Sequence, residues 1–136
     1  AIQDKGLKIK RVKGGSGKLI KWDGDVTVDV LSPLKDEYDD YNLYSIILKV
    51  TYGEFSILLT GDAEKQNETE MLEYFPMERF DCDVLVLIPV GEGNDYGHPH
   101  KETLETIKGT KIYRSDLDGD ISLLTDGKTY QITTEK

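Results

Sequence analysis

Ser45-Ile46-Ile47-Leu48-Lys49-Val50-Thr51, then Tyr52-Gly53-Glu54, then Phe55-Ser56-Ile57-Leu58-Leu59-Thr60 and Gly61-Asp62 form the stretch that decides the fold. Two runs rich in Ile, Val and Leu flank a short turn, and neither alternates strictly between apolar and polar residues. Such runs read as central strands covered on both faces. Asp62 stands where the second run ends and a mostly charged segment, Ala63–Tyr74, begins. That segment reads as a helix with Ala63, Met71, Leu72 and Phe75 as its apolar stripe and Asp62 as its N-cap.

Working outward toward the amino end, Pro33 to Asn42 is a polar surface loop. Val26–Leu31 and Lys18–Trp22 read as strands joined through the turn Asp23-Gly24-Asp25. Gly14-Gly15-Ser16-Gly17 is another turn, Leu7–Val12 approximates the period-2 pattern of a half-buried strand, and Ala1–Lys5 before Gly6 reads as a frayed helix end. Toward the carboxyl end, Cys82–Val90 is a buried strand, Gly91–Gly97 a loop, and Pro99 to Lys108 a short helix ended by Gly109. Lys111–Arg114, Ile121–Thr125 and Thr129–Thr133 read as terminal strands, the last two joined at Asp126-Gly127-Lys128. The expectation is one α+β or α/β domain over residues 1–136, strand-rich with two short helices.

Composition excludes several functions. The chain has 136 residues, 38% hydrophobic and 32% charged, which is a globular composition. The longest charge-free apolar run, Val84–Val90, falls far short of the roughly 20 residues of a membrane span, and no charged-then-apolar leader opens the sequence. One cysteine, Cys82, excludes an internal disulfide, a thiolate zinc cluster and an iron–sulfur site. Two histidines, His98 and His100, cannot supply a three-histidine zinc site by themselves.

Charge is unevenly spread. Residues 1–22 hold seven basic side chains and one acidic, or +6, and the other 114 hold ten basic and 25 acidic, or −15, which together make the net −9. An acidic body repels polyanions, so a polyanion contact would use the basic end or a metal. The same lysines equally suit a solvated strand face.

Three segments carry residues with chemistry. Asp62, at a strand-to-helix junction, suits either a helix cap or a ligand to a divalent metal. In Tyr96-Gly97-His98-Pro99-His100 the proline keeps the segment extended, so both imidazoles point the same way; each suits a metal ligand or general acid, or a helix cap and a solvated side chain. Asp116-Leu117-Asp118-Gly119-Asp120 lacks the sixth-position glycine and twelfth-position glutamate of a calcium loop, because Ile121 and Gly127 stand there, and it reads as a tight turn between strands. Cys82 lies in an apolar run and reads as a small core residue.

Six motifs occur in order: Val30-Leu31-Ser32-Pro33, Asn42-x-x-Ser45, Leu58-Leu59-Thr60-Gly61-Asp62-Ala63-Glu64, Tyr96-Gly97-His98-Pro99-His100, Tyr113-Arg114-x-Asp116-x-Asp118-Gly119 and Thr125-Asp126-Gly127-Lys128. Together they resemble the C-terminal metallo-β-lactamase-like domain of ComEC-type competence proteins and their free-standing relatives. The resemblance implies an αββα sandwich, one or two zinc or manganese ions, and a nuclease acting on DNA phosphodiesters during DNA uptake. It implies Asp62 as a metal ligand, His98 as a metal ligand or acid at the scissile phosphate, and His100 as a further ligand. For a competence channel protein it also implies the outer face of the cytoplasmic membrane or an extracellular location.

The family's His-x-His-x-Asp-His motif does not occur here, and its His-His-Gly-Ser segment is missing between the run ending at Leu87 and Ile88-Pro89-Val90. The sequence therefore corresponds to the second half of that fold, with most metal ligands outside it. The expectation is weak or absent catalysis by this chain alone, and strands whose uncovered apolar faces favour self-association. The alternative is a non-catalytic module that self-associates or binds a polyanion or partner through residues 5–21.

Overall fold

The computed structural model describes residues 3–6, 11–87 and 110–136. Its main sheet is built from β1 (Ile20–Lys21), β2 (Val26–Ser32), β3 (Ile47–Tyr52), β4 (Phe55–Leu59), β5 (Val84–Leu87) and β6 (Lys111–Arg114), side by side in that order. The first four strands are antiparallel and β4, β5 and β6 are parallel. A separate antiparallel hairpin joins β7 (Ile121–Thr125) to β8 (Tyr130–Thr134). The helices described are α1 (Lys65–Tyr74) and the one-turn α2 (Ser115–Asp118). This is the strand-rich α+β fold that the apolar runs predict.

Alternation of side chains along each strand sorts the sheet into two faces. One row runs straight across it: Asp29 opposite Lys49, Lys49 opposite Leu58, Leu58 opposite Leu85 and Leu85 opposite Ile112. On that face lies the core, where Leu31, Ile47, Leu58 and Leu85 pack with Ala63, Met71 and Phe80 from α1 and its flanks. The charged end of the row is closed by Arg79, whose guanidinium lies 2.6 Å from Asp29, while the Lys49 ammonium donates to the carbonyls of Arg79 and Asp81. The buried Asp29 carboxylate is tolerable here because it has a partner. The opposite face carries Val28, Val30, Phe55 and Val84, all buried, and the hairpin is pinned there by the Phe55 and Tyr130 rings at 4.9 Å. Gly127 at the hairpin turn has φ +86, and its carbonyl accepts from the backbone N–H of Glu54 and Phe55.

Several expectations need correction. Among the described residues, β3, β4 and β5 show no bare apolar face: their side chains with assigned exposure are buried or half-buried. The large exposed apolar residues lie elsewhere, notably Trp22, Tyr41, Ile46 and Leu124. Helix α1 starts at Lys65, not Ala63, its N-cap is Glu64, not Asp62, and Leu72 is exposed instead of joining the stripe. The segment 115–118 forms a helical turn capped by Gly119 at φ +68, where a plain turn is expected. The strand at 18–22 shrinks to Ile20–Lys21, and Ala1–Lys5 leaves a short 3-10 turn at Gln3–Lys5. The expected strand over residues 7–10, the strand end at 88–90, the loop at 91–97 and the helix at 99–108 lie outside the described residues. No helix among those described is long and apolar enough to cross a membrane.

Candidate functional site

The parallel strands β4, β5 and β6 end on one edge of the sheet, and Thr60, Leu87 and Arg114 stand level there. Open sheets present ligand-binding groups beyond the carboxyl ends of such strands, because rigid strands hold exposed loops in place. After Thr60 the chain turns sharply at Gly61, which has φ +53; a Cβ there would stand 3.2 Å from the Ile46 carbonyl oxygen. Asp62 follows, exposed, and its carboxylate has no hydrogen-bond or ion-pair partner among the described residues.

Asp62 is free because capping falls to its neighbours. The Glu64 backbone N–H donates to Asn67 Oδ1 at 3.0 Å, and Asn67 Nδ2 donates to the Leu43 carbonyl at 2.9 Å and to Ser32 Oγ at 3.3 Å. Asn67 is 1% exposed, so it fastens the helix start to the end of β2 and to the loop before β3. The Asn42 side-chain amide reaches Glu64 Oε1 at 3.0 Å from the same loop. Of the two readings of Asp62, the helix cap is thereby removed.

Asn67 is the residue that sequence reasoning missed. Its signal is position: Ala63, Asn67 and Met71 recur every four residues, so a polar side chain interrupts the buried stripe.

At the end of β6 the carboxylates are already committed. Arg114 Nε and Nη2 both donate to the Asp116 carboxylate, and the Arg114 backbone N–H donates to Asp118 Oδ2 at 2.6 Å. The hydrogen bonds from Arg114 hold the Asp116 carboxyl below the usual carboxylate range. A third network lies under the loop: Glu70 accepts from Lys35 Nζ at 2.6 Å, Tyr38 Oη at 2.8 Å and Gln66 Nε2 at 2.9 Å. Burial opposes ionisation of Glu70, but these donors outweigh it and hold its carboxyl low. Burial pushes the half-buried Cys82 thiol up, which suits an unreactive core-edge side chain.

These donors do not make a metal centre by themselves. Among the described residues no group of three or more His, Cys, Asp or Glu side chains is arranged to hold an ion. Asp62 is a single free carboxylate, whereas a catalytic zinc takes three protein ligands. His98 and His100 lie outside the described residues.

No family model and no solved structure matches the chain. It is similar to "ComE operon protein 3" of Bacillus subtilis (strain 168), 30% identical over 146 aligned residues that take in 89% of this chain. The chain spans only 18% of that protein's length.

Proposed function

From that relation we propose that the chain is a segment of a competence protein that handles DNA during uptake, and that its sheet edge belongs to a metal-dependent phosphodiesterase. The observation that carries the reading is the 30% identity extending over 89% of the chain, which takes in the Asp62 turn and the Arg114 turn alike. It is supported by the free carboxylate of Asp62 at the carboxyl edge of parallel strands, where a divalent cation would be welcome. In this reading Asp62 and His100 are ligands, His98 is a ligand or the acid that protonates the leaving oxygen, and the remaining ligands come from outside this chain. A bound zinc or manganese would supply the Lewis acidity; this chain supplies a rigid strand end that fixes one ligand.

Metal content by mass spectrometry, on chain purified without chelator, tests the reading. A stoichiometric divalent ion that is lost in Asp62→Ala supports it, and hydrolysis of a labelled DNA strand by the isolated chain stays weak. An ion-free chain in both forms overturns the catalytic reading for this segment.

One observation favours a second reading, a non-catalytic module that binds a polyanion. Arg11, Lys13, Lys18 and Lys21 are all exposed on a chain whose remainder is acidic, while Asp116 is already neutralised by Arg114.

A further inference from the structure

A cleft of about 510 Å³ opens beside the Asp62 turn. Arg11, Lys13, Pro33, Lys35, Tyr44 and Ile46 line it, together with Asp36. It is contiguous with the sheet edge, since the Ile46 carbonyl closes against Gly61. Three cations and one carboxylate line it, and Lys35, its side chain 57% exposed, also holds Glu70 at 2.6 Å, which leaves an excess of one positive charge in a protein of net −9. Arg11 has no acidic partner among the described residues. Lys13 pairs with Asp36 at 2.8 Å, but the Asp36 side chain is 85% exposed, so the pair is readily exchanged for another anion.

The apolar side of the cleft is equally specific. Tyr44 packs edge-on against Tyr38 with ring centroids 5.2 Å apart, and its hydroxyl accepts the Tyr38 backbone N–H at 2.9 Å. The ring is therefore fixed before any ligand arrives. Ile46, 48% exposed, lies next to it without a cover among the described residues. Cations placed to track phosphates, beside a fixed aromatic ring and an aliphatic shelf, form the pattern that single strands use: backbone neutralised, base stacked. A duplex hides its base faces and would leave Tyr44 and Ile46 unused.

We propose that this cleft seats a short stretch of a single nucleic-acid strand, its phosphates on Arg11, Lys13 and Lys35 and one base against Tyr44 and Ile46. The cleft would deliver the strand to the Asp62 turn, and in that sense rests on the function proposed above; its ability to bind does not depend on any metal.

The test is fluorescence anisotropy of a labelled short oligothymidylate, with chelator present so that loss of a metal site cannot affect the result. Three contacts on a single strand predict that log affinity falls against log salt with a slope of about −2. Arg11→Glu combined with Lys13→Glu, both exposed positions, should weaken binding at least about tenfold with an unchanged circular dichroism spectrum. Tyr44→Leu should weaken oligothymidylate about fivefold or more while leaving the binding of inorganic polyphosphate unchanged. Binding that ignores the charge reversals overturns the site. Polyphosphate or duplex DNA bound as tightly as oligothymidylate overturns the single-strand assignment.

Discussion

Asp62 and Asp116 occupy matching places, each just past a parallel strand and each two residues after a side chain at the same level of the sheet, Thr60 for one and Arg114 for the other. Their chemistry diverges at that preceding residue. Arg114 takes the Asp116 carboxylate in a two-pronged grip, and its own backbone N–H is held by Asp118. Thr60 instead turns its hydroxyl to the backbone carbonyls of Gly61 and Val86, leaving Asp62 exposed. Being at the carboxyl edge thus makes a carboxylate presentable, and the residue two before it decides whether it is available. One turn is a structural clasp and the other leaves its carboxylate open.

The largest effect should come from removing what frees Asp62. Asn67→Ala strands the buried Leu43 carbonyl, the Ser32 hydroxyl and the Glu64 N–H together, at a cost of about 2–4 kcal/mol. Urea denaturation should show this as a lower midpoint at an unchanged slope. Gly61→Ala strikes the turn itself: the positive φ and the near Ile46 carbonyl together cost about 1–2 kcal/mol, read by the same melt.

The smallest effect separates the two turns most sharply. Arg114→Thr, which copies Thr60, should cost about 1 kcal/mol or less. It should let the Asp116 carboxyl rise toward its ordinary 3.8, followed by carboxyl-carbon NMR. Because that folded-state value is depressed, the grip stabilises the protein above pH 3.8 and the contribution is lost as pH falls through the folded value. The wild-type protein should therefore lose this contribution on acidification below pH 3.8, and the variant should not have it to lose.

Much of the architecture was readable because strand burial writes itself into composition. The Ile, Val and Leu runs placed β3, β4 and β5 to within a few residues, and Asp126-Gly127 marked the last hairpin. Helix α1 was found but its start was misplaced, since Asp62 and Glu64 are both acceptable caps and only the Asn67 side chain, an i+3 partner brought in by burial, chooses between them. The turn at Asp116 was visible as an acidic cluster, but its commitment to Arg114 depends on side-chain direction at a strand end, which residue order does not state. Asp62 was legible as a candidate for the opposite reason: an acid directly after a buried strand and its glycine turn stands at the sheet edge whichever residue caps the helix. The cleft was half legible, as an excess of positive charge in residues 1–22, while its aromatic wall, Tyr44, falls between the polar loop ending at Asn42 and the strand run beginning at Ser45, where no pattern marks it.

Among the described residues, the main sheet places its six strands in space in the same order in which they occur along the chain. A ribosome releases them in that order too. From β2 onward, each strand meets its neighbour already made, and no gap has to be held open for a later strand to fill. The antiparallel strands need only short-range closure, while β5 and β6 each arrive after a long crossover, so the slow steps fall at the carboxyl end of the chain. The edge that carries Asp62 is thus assembled last, on a platform that is already built.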